Sequence, residues 1–246
     1  MTRTIEKTRY GTLPSTISLK IREPGSALTH FAALVLLTAG SGPLMMHARE
    51  SGSALTMMGA AIFLMTACLL YAASTCYHTV VLDERRTTIF RKLDHISIAV
   101  MIAGSYTPIC LTVLRDVPLT VMPGTSAGIV TVGYTLLAAI WILAGLSVLL
   151  KLFWITCPKW LSSAIYLLMG WLCIFSLKPL LLLLPVPAFG LLLAGGVAYS
   201  IGAVIYALHP KAFDEKHIYF GSHEIFHVFI MLGTFCHYEL MLHFIV

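Results

Sequence analysis

Seven stretches of this chain are each long enough and apolar enough to cross a lipid bilayer, and that property decides most of what the chain can become. A spanning helix needs roughly 17–25 residues that are mostly apolar. The runs at 27–46, 54–77, 95–114, 127–150, 161–179, 188–208 and 224–245 meet that requirement. Inside hydrocarbon every backbone N–H and C=O must find its partner within the protein, so each run is expected as an α-helix. The expected fold is therefore an all-α integral membrane protein, a seven-transmembrane helix bundle. The fifth run is interrupted by Lys178-Pro179, and the leucines at 181–184 beyond it either extend the helix or lie at the interface. Residues 1–25 are expected as a polar tail and 26–246 as one transmembrane domain without internal repeats. No cleavable leader is expected, because the first apolar run is long enough to span and remain.

Composition removes the main competitor. Hydrophobic residues make up 58% of the chain and charged residues 11%, against ~25% charged in soluble domains. A mean hydropathy of +0.88 does not describe a water-soluble core. The lysines and arginines then orient the bundle. Of the 16, all but Arg49, Arg115 and Lys178 fall on one side of the expected crossings. The positive-inside rule puts that side, with the N-terminus, in the cytoplasm and the C-terminus outside. The net charge of +5 is accounted for by cations anchored near anionic lipid. No soluble basic module exists to bind nucleic acid. The six cysteines have no C-x-x-C spacing and read as reduced packing residues.

Ionisable groups inside spanning segments are costly and point to function. The second run ends in "STCYH", where Ser74 and His78 share a helical face. The third begins "RKLDHIS", with Asp94 at its start, and the seventh begins at His223-Glu224-Ile225-Phe226-His227. With alternating crossings, Ser74, His78, Asp94, His223 and His227 all arrive at one membrane depth. Catalytic zinc takes three protein ligands and keeps a fourth position for water. His223 and His227 lie one turn apart and can hold one Zn2+ with His78, and Asp94 can act as general base on the water. Ser74 can orient a ligand or hydrogen-bond a developing oxyanion.

Each residue also has a plainer reading. Asp94 can pair with Arg91 or Lys92, and Ser74 can bond the Leu70 carbonyl. His30, His47, His237 and His243 are expected as hydrogen-bonded packing residues. His209 and His217 are expected in solvated loops, and His95 is expected either to face away from Asp94 or to support the site from behind the ligands. The string His223–His227 also fits the H-E-x-x-H signature of zinc proteases, in which Glu224 would be the base. Intramembrane proteases of that kind add an aspartate from a later helix, whereas the aspartate available here comes earlier.

The motifs S-x-x-x-H, D-H-x-x-I-x-x-x-I-A-G-S-Y-T-P and H-x-x-x-H occur here in order, as "STCYH", "DHISIAVMIAGSYTP" and "HEIFH". Together they closely resemble the hemolysin III family, the bacterial branch of the group that holds progestin and adiponectin receptors, related to alkaline ceramidases. The likeness runs from about residue 25 to the end. It implies seven helices with a cytoplasmic N-terminus and a zinc held by His78, His223 and His227. It also implies a water-holding carboxylate at Asp94, a hydroxyl near the metal at Ser74, and no catalytic role for Glu224. A bacterial inner-membrane location follows, with a membrane lipid as substrate or ligand. Two functions remain open: hydrolysis of an amide or ester bond in a lipid, and a sensor, homeostasis or cytolytic role in which the zinc is structural. Polarity concentrated at one end of the helices argues against a pore.

Overall fold

The computed structural model describes residues 21–119, 130–208, 211–217 and 220–246. The tail cations Arg3, Lys7, Arg9 and Lys20 and the loop residue His209 lie outside them. The described chain is helical and forms seven crossings: α1 (Pro24–Glu50), α2 (Ala54–Thr79), α3 (Glu84–Leu111), α4 (Val132–Phe153), a composite fifth, α7 (Val186–Leu208), and α9 (Ser222–Leu240) with a further turn to Ile245. The fifth joins α5 (Lys159–Gly170), a tighter 3₁₀ stretch (Trp171–Ser176) and α6 (Leu177–Leu183). A short helix, α8 (Lys211–Lys216), precedes the last crossing.

Local chemistry sets the ends. Pro24 occupies the first turn of α1, where its missing N–H matters least. Ser53, Asp83 and Thr131 each accept a backbone N–H at the start of α2, α3 and α4. Gly52, at φ +67°, turns the chain between α1 and α2 in a conformation that disfavours a side chain. The Asp83 cap explains why α3 starts at Glu84 and not at 95. Its first turns are polar, and hydropathy does not report them.

The fifth crossing departs from expectation in a second way. Its irregularity falls at Gly170–Ser176, ahead of Lys178-Pro179, and Pro179 sits in the first turn of α6. Tyr106 of α3 makes the loosened stretch tolerable. Its hydroxyl lies 3.0 Å from the Met169 carbonyl and 2.5 Å from that of Gly170, and it accepts the Cys173 N–H at 3.0 Å. Backbone groups freed from the helical pattern are thus satisfied inside the protein, as the bilayer demands.

Packing divides the molecule. α2 lies between α1 and α3, around Phe63, Leu64, Leu70 and Tyr71. A β-carbon on Gly104 would stand 1.9 Å from the Thr66 hydroxyl oxygen, so glycine permits the α2–α3 approach. α7 packs along α9, and α9 returns to α1. Large apolar side chains such as Leu36, Phe153, Phe175 and Val186 face outward, as a lipid-facing surface requires. All six cysteines are free, as expected. Lys151, expected among the anchoring cations, is instead buried, its Nζ on Ser162 Oγ (2.5 Å) and Cys157 Sγ (2.9 Å). Burial pushes the Cys157 thiol up, but hydrogen bonds from Lys151 and Ser162 outweigh it and hold the group below its ordinary value.

Candidate metal centre

The site begins with the way the chain enters α1. The last carbonyls of a helix have no partner within it. At the end of α2 those of His78 and Thr79 accept the N–H groups of Glu23 (2.9 Å) and Arg22 (3.3 Å). This pins Glu23 beside His78, and its carboxylate accepts a hydrogen bond from His78 Nδ1. That bond holds the Glu23 carboxyl below the usual carboxylate range, against the opposing effect of burial. Arg22 flanks the pair, 3.3 Å from Glu23 Oε1 and 3.8 Å from the centre of the Tyr77 ring. With Nδ1 engaged, His78 turns Nε2 inward, where it lies 3.3 Å from Nε2 of His223.

His227 is prepared in the same manner. Its Nδ1 lies 3.0 Å from Thr29 Oγ1, and the Thr29 hydroxyl donates to the Ser26 carbonyl at 2.9 Å. The threonine oxygen therefore receives the Nδ1 proton, which leaves the Nε2 lone pair free. Metal-binding histidines are oriented by partners of this kind. The three ligand atoms of His78, His223 and His227 all lie within 4.8 Å of one another. Among the described residues no other such group is found.

The donor set fits zinc. Three neutral imidazoles are the ligands of several catalytic zinc sites. Two nitrogens at 2.0–2.1 Å from an ion in tetrahedral geometry stand about 3.3 Å apart, which is the His78–His223 spacing observed. No fourth histidine, cysteine or carboxylate joins the group among the described residues.

Asp94 is buried and pairs with neither Arg91 nor Lys92. Lys92 donates instead to the Leu152 carbonyl at 2.6 Å. Asp94 borders a cavity of about 40 Å³ whose walls also include His30, His95, His223 and His227. That volume holds a water or two. Ser74 is fully buried one turn before His78, and its hydroxyl has no partner among the described residues. The expected bond to the Leu70 carbonyl is absent.

Several expectations need correction, among them the hydrogen-bonded packing expected of His237, whose ring nitrogens have no hydrogen-bond partner among the described residues. His95 does not face away, since Nδ1 lies 3.3 Å from Asp94 Oδ2. Adjacent residues leave a helix ~100° apart, but both side chains bend into the same cavity. His30 is not a hydrogen-bonded packing residue. Its ring stacks on that of His227 (centroids 3.5 Å, planes 9° apart), and neither nitrogen has a hydrogen-bond partner. Polarity also extends further than one end. Tyr71 and Tyr199 meet at the Thr234 hydroxyl (2.7 and 3.1 Å), with His237 edge-on to Tyr199 beyond them. His217 is exposed as expected, and His47 has the expected hydrogen bond, to the Pro43 carbonyl (2.9 Å), but is exposed and not a packing residue.

Glu224 lies apart from the cluster's chemistry. One oxygen accepts the Gly221 N–H (2.9 Å) at the start of α9, and the other accepts the Ser26 hydroxyl. Asp214 of α8 holds the same helix start through the Ser222 N–H (2.6 Å) and hydroxyl (2.9 Å). Sequence reasoning missed Glu23 and Thr29. No local pattern marks them, because each acts through a contact between the first crossing and a later one.

A second cavity, of about 490 Å³, adjoins the first and shares Leu70, His95, Ile98, Tyr206, Phe226 and Ile230 with it. It rises between α3, the composite fifth crossing, α7 and α9, under almost wholly apolar walls. Its size falls in the range of small-molecule and cofactor sites. Gly196 lines this cavity, whereas Gly195 and Gly202 face α9 and bring the helices together.

A seven-crossing membrane protein with a three-histidine cluster at one end, two of its rings buried and the third half-buried, is thus defined. Comparison with known proteins then assigns the lineage. The family described as Haemolysin-III related matches residues 19–238. Hemolysin-3 of Bacillus cereus is 34% identical over 212 residues, covering 86% of each chain. A Hemolysin-3 homolog of Bacillus subtilis (strain 168) is 32% identical over 212 residues, 86% of this chain and 89% of its own. The chain belongs to the hemolysin III family, and it is a multi-pass protein of the bacterial inner membrane.

Proposed function

We propose that this protein is a zinc-dependent hydrolase that cleaves an amide or ester bond of a membrane lipid, with its site on the cytoplasmic side. The observation that carries this reading is the adjacency of two cavities. A water-sized one is bordered by Asp94 and two of the three histidines, and a lipid-sized apolar one opens beside it. His78, His223 and His227 are the ligands proposed for the ion, with Glu23 and Thr29 fixing their tautomers. Zinc, when bound, polarises a carbonyl and acidifies a water. Asp94 accepts the proton of the attacking water and His95 steadies its carboxylate. The unpartnered Ser74 hydroxyl donates to the oxygen on which negative charge develops. The scissile bond lies at the cavity junction, with the lipid tail among Ile98, Met101 and Ile102. The cation distribution supports the cytoplasmic placement.

A structural role for zinc has one observation in its favour. The prospective ligands and their partners tie α1, α2 and α9 together. Structural zinc sites, however, are closed by four protein ligands, and among the described residues three assemble here. The test is metal analysis of the purified protein followed by lipid turnover. Hydrolysis that vanishes in Asp94→Asn while zinc is retained supports catalysis. Turnover by that variant at the wild-type rate, or a wild-type protein without bound zinc, refutes it.

A further inference from the structure

The larger cavity has a polar feature far from the metal centre. His237 lines it from α9, ten residues beyond His227 and therefore about 15 Å further along the helix. The ring is buried, and neither nitrogen forms a hydrogen bond of proper geometry, although the Leu192 carbonyl lies near. Most other polar side chains of the same wall are engaged. Tyr106 holds the Gly170 carbonyl (2.5 Å), Tyr166 the His95 carbonyl (3.0 Å), Tyr199 the Thr234 hydroxyl (3.1 Å) and Ser200 the Gly196 carbonyl (2.7 Å). The unengaged ones are Ser163, near the start of α5, and His237 at the opposite end.

The chain also makes room for this imidazole. A β-carbon on Gly195 would stand 2.5 Å from the His237 ring, and one on Gly233 would stand 2.5 Å from the Tyr199 ring. Two glycines therefore seat two facing rings, which meet edge-on at 5.4 Å. An apolar residue would fill such a seat without leaving polar atoms unsatisfied, which is the costly arrangement. A neutral imidazole offers one donor and one acceptor. A hydroxyl matches both, whereas an ionised group this deep in an apolar cavity is disfavoured.

We infer that His237 is a specificity-determining residue that recognises a neutral hydrogen-bonding group, a hydroxyl or oxo group, carried on the chain of the lipid occupying the large cavity. The inference rests on the lipid reading of that cavity and extends it. It names the substrate class as acyl lipids functionalised well away from the scissile carbonyl.

The test uses the full chain, purified in detergent, with two probes: octadecanoate and its mid-chain hydroxy derivative. Dissociation constants are measured for both. Wild type is expected to prefer the hydroxylated probe by roughly ten-fold, the worth of one buried hydrogen bond. His237→Leu is expected to lose the preference while still binding octadecanoate and keeping its metal. His237→Asn retains donor and acceptor and is expected to keep part of the preference. Gly195→Ala forces the ring from its seat and is expected to reduce the preference with the imidazole intact. Equal binding of the two probes by wild type, or a preference that survives in His237→Leu, overturns the inference and leaves the lipid reading standing. Failure of wild type to bind either probe overturns the lipid reading of the cavity itself.

Discussion

The two sides of this bundle are built to opposite rules. Where α1, α2 and α9 meet, most polar side chains are paired, Glu23 with His78, Thr29 with His227 and Ser26 with Glu224. Only a few, such as His30 and Ser74, are left without a hydrogen-bond partner among the described residues. On the other side, α3, the composite fifth crossing and α7 enclose an apolar space, and one of its walls is not even a continuous α-helix. In a bilayer the first arrangement is rigid because every hydrogen-bonding group needs a partner. The second can reshape because apolar contacts carry no direction. A site that positions an ion and a proton carrier needs the first kind of wall, and a site that admits a lipid tail needs the second.

The sharpest way to break this contrast is to remove a ligand. His223→Ala is expected to reduce bound zinc to background and abolish turnover, while octadecanoate binding in the apolar cavity persists, as read by metal analysis and ligand binding on one preparation. Loss of both properties together would mean that the two walls are not independent. Asp94→Asn comes next, with turnover expected to fall roughly 10²–10⁴-fold, the range for general base catalysis, and zinc content unchanged. Glu23→Gln keeps the shape but weakens the partner of His78. Zinc affinity is expected to fall about 10–100-fold, measured by competition with a chelator. The mildest test lies on the other side. A β-carbon at Gly196 would meet nothing within 4 Å, so Gly196→Phe is expected to narrow the cavity, weaken lipid binding several-fold and leave zinc affinity at the wild-type value.

The contrast also explains which parts could be read from sequence. The seven crossings were legible because length and hydropathy report membrane solvation directly. The convergence of His78, His223 and His227 was legible because alternating crossings place helix ends on defined sides. What hydropathy does not encode is capping chemistry, so the polar first turns of α3 after Asp83 were missed. It also does not encode hydroxyls that satisfy distant backbone, so the loosening at Gly170 was assigned to Pro179 and the part played by Tyr106 stayed hidden. Glu23 and Thr29 escaped for a related reason. Both act through contacts between the first crossing and later ones, which no local pattern announces. His30 and His237 looked like satisfied packing residues because that is the usual fate of an isolated histidine on an apolar helix. Only three-dimensional placement distinguishes a ring without partners.

The contacts between Ser26 and Glu224 and between Thr29 and His227 each join residues 198 positions apart. His223 and His227 both lie on α9, so this centre assembles only after the first and last crossings have met. Until the final crossing leaves the ribosome, Glu23, His30 and Asp94 wait in a half-built bundle without the histidines they face. A chain truncated before α9 therefore lacks two of the three clustered histidines, and the cluster forms only when that crossing has packed against the first two.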